Sequence, residues 1–245
     1  MFEAINGVCL MYEIPYLVIF SFFAVLYIII KAIKVEELHF KSKLLTKLIP
    51  FSTVVKVIPA GLTIAFVLIN NNESFFMYAV LGLALLFCMF GDIGMEKGIL
   101  VGLPLFLVAQ ILYIVAFLGQ SLIIEVNLES IFITAIVALV MIVYVILMLR
   151  YLESAKEGLG EFRIPVLIYC AFLSGMFIST VLLWMSSGIM GLAFVALGGS
   201  LFVISDSIIA IREFHHPINH SVLKVMSTYY LAIFLLSLAS LIQYP

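Results

Sequence analysis

All twelve lysines and arginines of this chain lie in or beside alternate gaps between long apolar runs, and the intervening gaps hold none. The basic gaps are 31–56, position 97, 150–163 and 212–224, whereas 70–74, 119–128 and 186–188 carry no positive charge. Positive charge is retained preferentially on the cytoplasmic side of a bilayer, so this alternation predicts a chain that crosses a membrane repeatedly. The stretch up to Tyr16 and the tail after Ile242 also lack basic residues. Both termini are therefore expected on the outer or lumenal side.

Composition agrees, because 65% hydrophobic and 11% charged residues leave more apolar surface than a soluble domain of this length can cover. A hydrocarbon core of about 30 Å takes about 20 helical residues. Candidate spans fall at 16–32, 48–69, 75–90, 99–118, 130–149, 164–184, 189–210 and 222–242. The expected fold is all-α, a bundle of about eight transmembrane helices. The loops are too short to fold alone, so 1–245 reads as a single integral membrane domain. Glu3 and the absence of a basic leader make the first span an expected uncleaved anchor.

Several function classes lose support at this stage. A net charge of −2 gives no reason to expect nucleic acid as a partner. The basic first inner loop, 31–47, reads as a topology signal lying near anionic headgroups. Cys9, Cys88 and Cys170 are odd in number and form no disulfide framework or metal spacing. His215, His216 and His220, with His39 on the first inner loop, lack a Cys or Asp partner at ligand spacing and read as solvated. Asn72-Glu73-Ser74 matches a glycosylation tripeptide but sits too close to the membrane to be modified. No nucleophile elbow, phosphate loop or zinc-protease motif occurs.

The informative residues are the polar ones inside the spans. A charged side chain at a bilayer centre costs about 2.5 to 3.5 kcal/mol on insertion scales, so it must face other helices or a wet cavity. Asp206 precedes Arg212 by six positions, which places it about 9 Å inside the inner boundary. Asp92 follows the apolar run from Phe75 and is expected nearer the surface. Lys56, about 12 Å deep if the second span starts near Leu48, approaches from the same side. A salt bridge such as Lys56 to Asp206, holding helices together without chemistry, is the structural alternative. Gln110, Tyr113, Tyr169, Ser205, Tyr229 and Tyr230 supply hydroxyl and amide groups nearby. The third and seventh spans each end in a small residue followed by Asp, Gly91-Asp92 and Ser205-Asp206, which suggests a parallel four-plus-four pseudo-repeat.

These stretches resemble the YhhN-like membrane proteins, a family that includes the lysoplasmalogenases. Gly91-Asp92 with Gly102, Phe106 and Tyr113 is similar to the family's Gly-Asp segment and following helix. Residues 198–207, reading Gly-Gly-Ser-Leu-Phe-Val-Ile-Ser-Asp-Ser, are similar to its glycine-rich Ser-Asp signature. Pro165, Tyr169 and Met176, the run Thr228-Tyr229-Tyr230-Leu231-Ala232, and Lys56-Val57-Ile58-Pro59 resemble weaker features. Two positions depart from the pattern. Gln110 stands where a His is common before the span-four Tyr, and Ile233 where a Gln often follows the Tyr-Tyr run. An amide cannot replace a proton-shuttling imidazole.

The resemblance implies hydrolysis of the vinyl ether of a lysoplasmalogen to a fatty aldehyde and glycerophosphoethanolamine or glycerophosphocholine. Such a reaction needs a proton donor and an anion that steadies the oxocarbenium ion, a logic shared with glycosidase carboxyl pairs. Asp92 and Asp206 are the expected catalytic pair, with neither role assigned. Lys56 is expected to attract the substrate phosphate, Tyr113 and Ser205 to place water or polarise the ether oxygen, and Gln110, Tyr169 and Tyr229 to complete the substrate site. No metal or cofactor is called for. The expected partners are the lysophospholipid and membrane lipids, and the expected location is the endoplasmic reticulum. A catalytically silent lipid-binding member and a lipid or small-solute transporter are the competing classes.

Overall fold

The computed structural model describes residues 9–34, 52–69 and 75–241. The described residues form eight α-helices: α1 (Cys9–Lys34), α2 (Ser52–Ile69), α3 (Phe75–Lys97), α4 (Ile99–Ile124), α5 (Leu128–Glu153), α6 (Arg163–Ser187), α7 (Leu192–Phe214) and α8 (Ser221–Ser237). Short 3-10 turns occur at Gly160–Phe162 and Leu238–Leu241. Seven of the helices are long and apolar enough to cross a membrane, and α1 adds a shorter apolar stretch, Pro15–Lys31. The chain is thus an all-α, multi-pass integral membrane protein. The chain ends, the first basic loop with His39, and the Asn72-Glu73-Ser74 tripeptide lie outside the described residues.

Helices α1, α2, α3, α4, α6, α7 and α8 pack each on the next, and α8 returns to α1 and α2. The seven enclose a common interior. Helix α5 leans mainly on α6 from outside, and only 17% of its span is buried. A helix that is apolar all round and unburied by protein has lipid as its solvent. The interior includes an aromatic cluster: Phe106 and Tyr113 from α4, Phe202 from α7 and Tyr229 from α8 meet edge to face. Such pairs align positive ring edges with negative ring faces.

Where lipid removes the hydrophobic drive between helices, close backbone approach takes over, and small residues permit it. Gly98, with φ of 135°, turns α3 into α4 in a conformation that side chains rarely tolerate. Just beyond that turn, a Cβ on Gly94 would meet the Gly102 Cα at 2.9 Å. A Cβ on Gly198 of α7 would lie 2.9 Å from the Leu235 Cβ of α8.

Helix α3 runs past the expected end at Phe90 to Lys97, and this extension matters for the site. Asp92 and Glu96 stand one turn apart on the same face. Their charges are met by side chains of α1, α2 and α8, so the helix continues where hydropathy alone predicted a stop. Asp92 and Asp206 do lie at the same, basic end of the third and seventh helices.

Candidate functional site

Helices α1, α3 and α7 end at the basic end of the bundle, and α2, α4 and α8 begin there. Together they line a partly open chamber whose wall carries charged residues from α1, α2, α3 and α7. Asp92 and Asp206 both line it, as do Lys56, Ser205 and Tyr229. The two carboxyl groups proposed from sequence therefore open on one cavity.

Their surroundings differ. Asp92 is 2% exposed. Lys56 Nζ, on α2, lies 3.4 Å from its Oδ1 and donates to its backbone carbonyl at 2.8 Å. Tyr229 of α8 donates to Asp92 Oδ2 at 2.9 Å. Burying a charge pair is costly unless the remaining lone pairs are satisfied, and here both carboxylate oxygens have partners. Tyr230 donates to the Lys56 carbonyl at 3.1 Å.

Asp206 is only partly buried. Its Oδ2 accepts a hydrogen bond from the Tyr169 hydroxyl of α6, and among the described residues no cation lies within ion-pair distance of it. Asp206 also borders a second cavity, an apolar cleft between α4, α5, α6 and α7, with walls that include Leu103, Met148, Val166 and Leu173. Met95, Phe106 and Ile209 belong to both cavities as well. Asp206 thus stands at the junction of a charged chamber and a greasy one.

The salt bridge considered from sequence, Lys56 to Asp206, is replaced by Lys56 to Asp92, because α3 extends far enough to bring Asp92 beside α2. Lys56 also faces Glu96 at 3.7 Å. Lys31 of α1 in turn holds both Glu96 oxygens, at 2.8 and 3.1 Å, and Tyr27 donates to Glu96 at 3.2 Å. Sequence reasoning missed Glu96, Lys31 and Tyr27. The signal for Glu96 was its four-residue spacing from Asp92, which has meaning only if the helix persists; Lys31 had been read as part of the topology signal.

The other expected site residues divide. Ser205 is buried and donates to the Val225 carbonyl at 3.2 Å, pinning α7 to α8. Tyr169 lines the cleft. Gln110 and Tyr113 lie outside the lining of both cavities. The Tyr113 hydroxyl faces the Cys88 sulfur at 3.7 Å, which turns it away from the water-placing role expected of it. Gln110 is fully buried beside Tyr169, and neither its amide nitrogen nor its oxygen has a hydrogen-bond partner of standard geometry among the described residues.

A family model described as YhhN matches residues 51–240. The chain belongs to the YhhN family. The match spans every helix from α2 to α8, and with them the chamber residues outside α1. Comparison with curated proteins found no match, and comparison with solved structures found none. Among the residues of this YhhN member that meet in the chamber, Lys31 and Tyr27 on α1 precede the matched region.

Proposed function

We propose that this YhhN membrane protein hydrolyses the vinyl ether bond of lysoplasmalogens, releasing a fatty aldehyde and a glycerophospho-headgroup. The observation that carries the reading is the position of Asp206, shared by an apolar cleft suited to one alkenyl chain and a polar chamber suited to a glycerophosphate. The bond to be broken joins those two parts of the lipid. Family membership supports the substrate class, and the alternation of basic loops supports a chamber open toward the cytoplasmic leaflet.

The two carboxyl environments support separate roles. Asp206, with no cation in ion-pair distance among the described residues and set against apolar walls, carries the proton. Asp92, paired with Lys56 and hydrogen-bonded by Tyr229, is the anion. Asp206 protonates the outer alkene carbon, and the ether oxygen shares the resulting positive charge as an oxocarbenium ion facing the Asp92 side of the chamber. Water adds to the oxocarbenium carbon and returns a proton to Asp206. The hemiacetal then loses its hydroxyl proton, the glycerol oxygen gains one, and aldehyde and alcohol separate. Atoms balance with one water and no redox partner. A positioned proton donor of this kind contributes about 10²- to 10⁴-fold to rate.

The test is mass spectrometry of products from the purified protein given vinyl ether and ester lysolipids side by side. Aldehyde is expected from the vinyl ether alone, and it is expected to fall at least about a hundredfold in Asp206→Asn and in Asp92→Asn. Undiminished turnover in both variants removes the pair. Transport of lipid across liposomes without aldehyde would establish the transporter class instead.

A further inference from the structure

We infer that Arg212 binds the phosphate of the lipid that occupies the chamber, an assignment that rests on reading the chamber and cleft as a lysophospholipid site. Three cations line the chamber: Lys31, Lys56 and Arg212. Two are already engaged by carboxylates. Lys56 is bound to the Asp92 carbonyl and faces both the Asp92 and Glu96 carboxylates, and Lys31 is held by the two oxygens of Glu96. The expectation that Lys56 receives the phosphate therefore fails on geometry, since its donors point at carboxylates of its own bundle.

Arg212 differs. Its Nε and one terminal nitrogen both reach a single oxygen of its chain neighbour Glu213, at 3.0 and 2.8 Å. Glu213 lies outside the chamber lining, and the side chains of the pair are 29% and 37% exposed. Ion pairs this open to water hold weakly. The second terminal nitrogen of Arg212 has no partner among the described residues. With Asp206 protonated, Asp92 and Glu96 offset Lys56 and Lys31 within the chamber lining, whereas the carboxylate partner of Arg212, Glu213, lies outside that lining. One phosphodiester carries the matching negative charge, and a planar guanidinium takes two phosphate oxygens at once.

The spacing suits the same molecule. Arg212 follows Asp206 by six residues on α7, a rise of about 9 Å. Arg212 and Asp206 both line the chamber, and a long arginine side chain released from Glu213 can lean back along the helix toward its N-terminus. A glycerol unit bridging the ether oxygen at Asp206 and a phosphate at Arg212 fits between them, with the chain passing on into the cleft.

The experiment is equilibrium binding of a saturated 1-O-alkyl lysophospholipid, which has no alkene to cleave, to the detergent-solubilised full chain. An uncharged 1-O-alkylglycerol of the same chain length, glycerol phosphate and inorganic phosphate serve as separate arms. Wild type is expected to bind the alkyl phospholipid more tightly than the alkylglycerol. Arg212→Gln is expected to lose at least about tenfold affinity for the phospholipid with affinity for the alkylglycerol unchanged, and Arg212→Lys to recover part of the loss. Equal weakening of both lipids, no weakening of either, or no preference of wild type for the phospholipid overturns the assignment. Inorganic phosphate binding as tightly as the lipid would make the site one for a soluble anion and overturn it too. Because the probe is not cleaved, binding as expected in a protein that releases no aldehyde sinks the hydrolase reading and leaves the phosphate site standing.

Discussion

Lys56 Nζ stands 3.4 Å from Asp92 Oδ1 and 2.8 Å from the Asp92 carbonyl oxygen, so one lysine grips the same aspartate by side chain and backbone. The contact joins α2 to α3 at the basic end of the bundle and sets a lysine against one of the two chamber carboxylates.

Removing the lysine leaves that carboxylate buried alone. Lys56→Met is expected to destabilise the protein by about 3 kcal/mol, and the double variant Lys56→Met/Asp92→Asn to recover most of the loss, since replacing a whole buried pair costs far less than breaking it. Thermal unfolding in detergent reads both. A single variant as stable as wild type would mean that the pair carries no structural weight.

Tyr169 is the hydrogen-bond donor to Asp206. Tyr169→Phe keeps the ring that lines the cleft and removes the hydroxyl. Loss of a hydrogen bond to an ionisable group costs about 1.5 to 3 kcal/mol, so turnover on vinyl ether lysolipid is expected to fall by about tenfold to a hundredfold with folding retained. Unchanged kcat and KM would separate Tyr169 from the chemistry.

Gly102 packs against α3 so tightly that a Cβ would lie 2.9 Å from the Met95 backbone nitrogen. Gly102→Leu is expected to cost about 3 kcal/mol, the upper end of overpacking penalties, because backbone cannot step aside as a side chain can. Loss of folded yield or a lower unfolding temperature checks it. Gly61, with open space at its Cβ, is the control, and Gly61→Ala is expected to be neutral or slightly stabilising.

Gln110 buries two polar atoms that have no hydrogen-bond partner of standard geometry among the described residues. An apolar side chain of similar shape relieves that desolvation cost, so Gln110→Met is expected to hold stability level or raise it by about 1 kcal/mol in thermal unfolding. Gln110→His is expected to leave aldehyde release unchanged, because no proton of the Asp92 and Asp206 pair passes through this position. A gain of about tenfold would instead place a proton relay there and make the native chain a weakened or silent member.

How far the residues disclosed the site depends on which interaction is asked about. Asp92, Asp206, Lys56, Ser205 and Tyr229 stood out because a polar group in an apolar run is conspicuous, and all five line one chamber. Glu96 and Lys31 did not stand out. They lie at the ends of apolar runs, where charge is ordinary, and their significance comes from an ion pair between helices sixty-five residues apart in sequence. Tyr113 was read as a site residue for its hydroxyl, yet that hydroxyl faces Cys88 and its ring meets Phe202.

The alternation of charge and hydropathy determined by itself that the chain is a membrane bundle, roughly how many times it crosses, and that its ionisable groups gather at the basic end. Those properties follow from the partition of each segment between water and hydrocarbon, which needs no knowledge of neighbours. Only the tertiary structure decided that Lys56 pairs with Asp92, that Asp206 divides a polar chamber from an apolar cleft, and that Arg212 is the chamber cation whose carboxylate partner, Glu213, lies outside the chamber lining. Which helix faces meet is set by close packing between helices, through contacts such as Gly94 on Gly102 and Gly198 on Leu235, and partition energies are blind to those contacts because lipid and protein interior are nearly equivalent solvents for an apolar side chain.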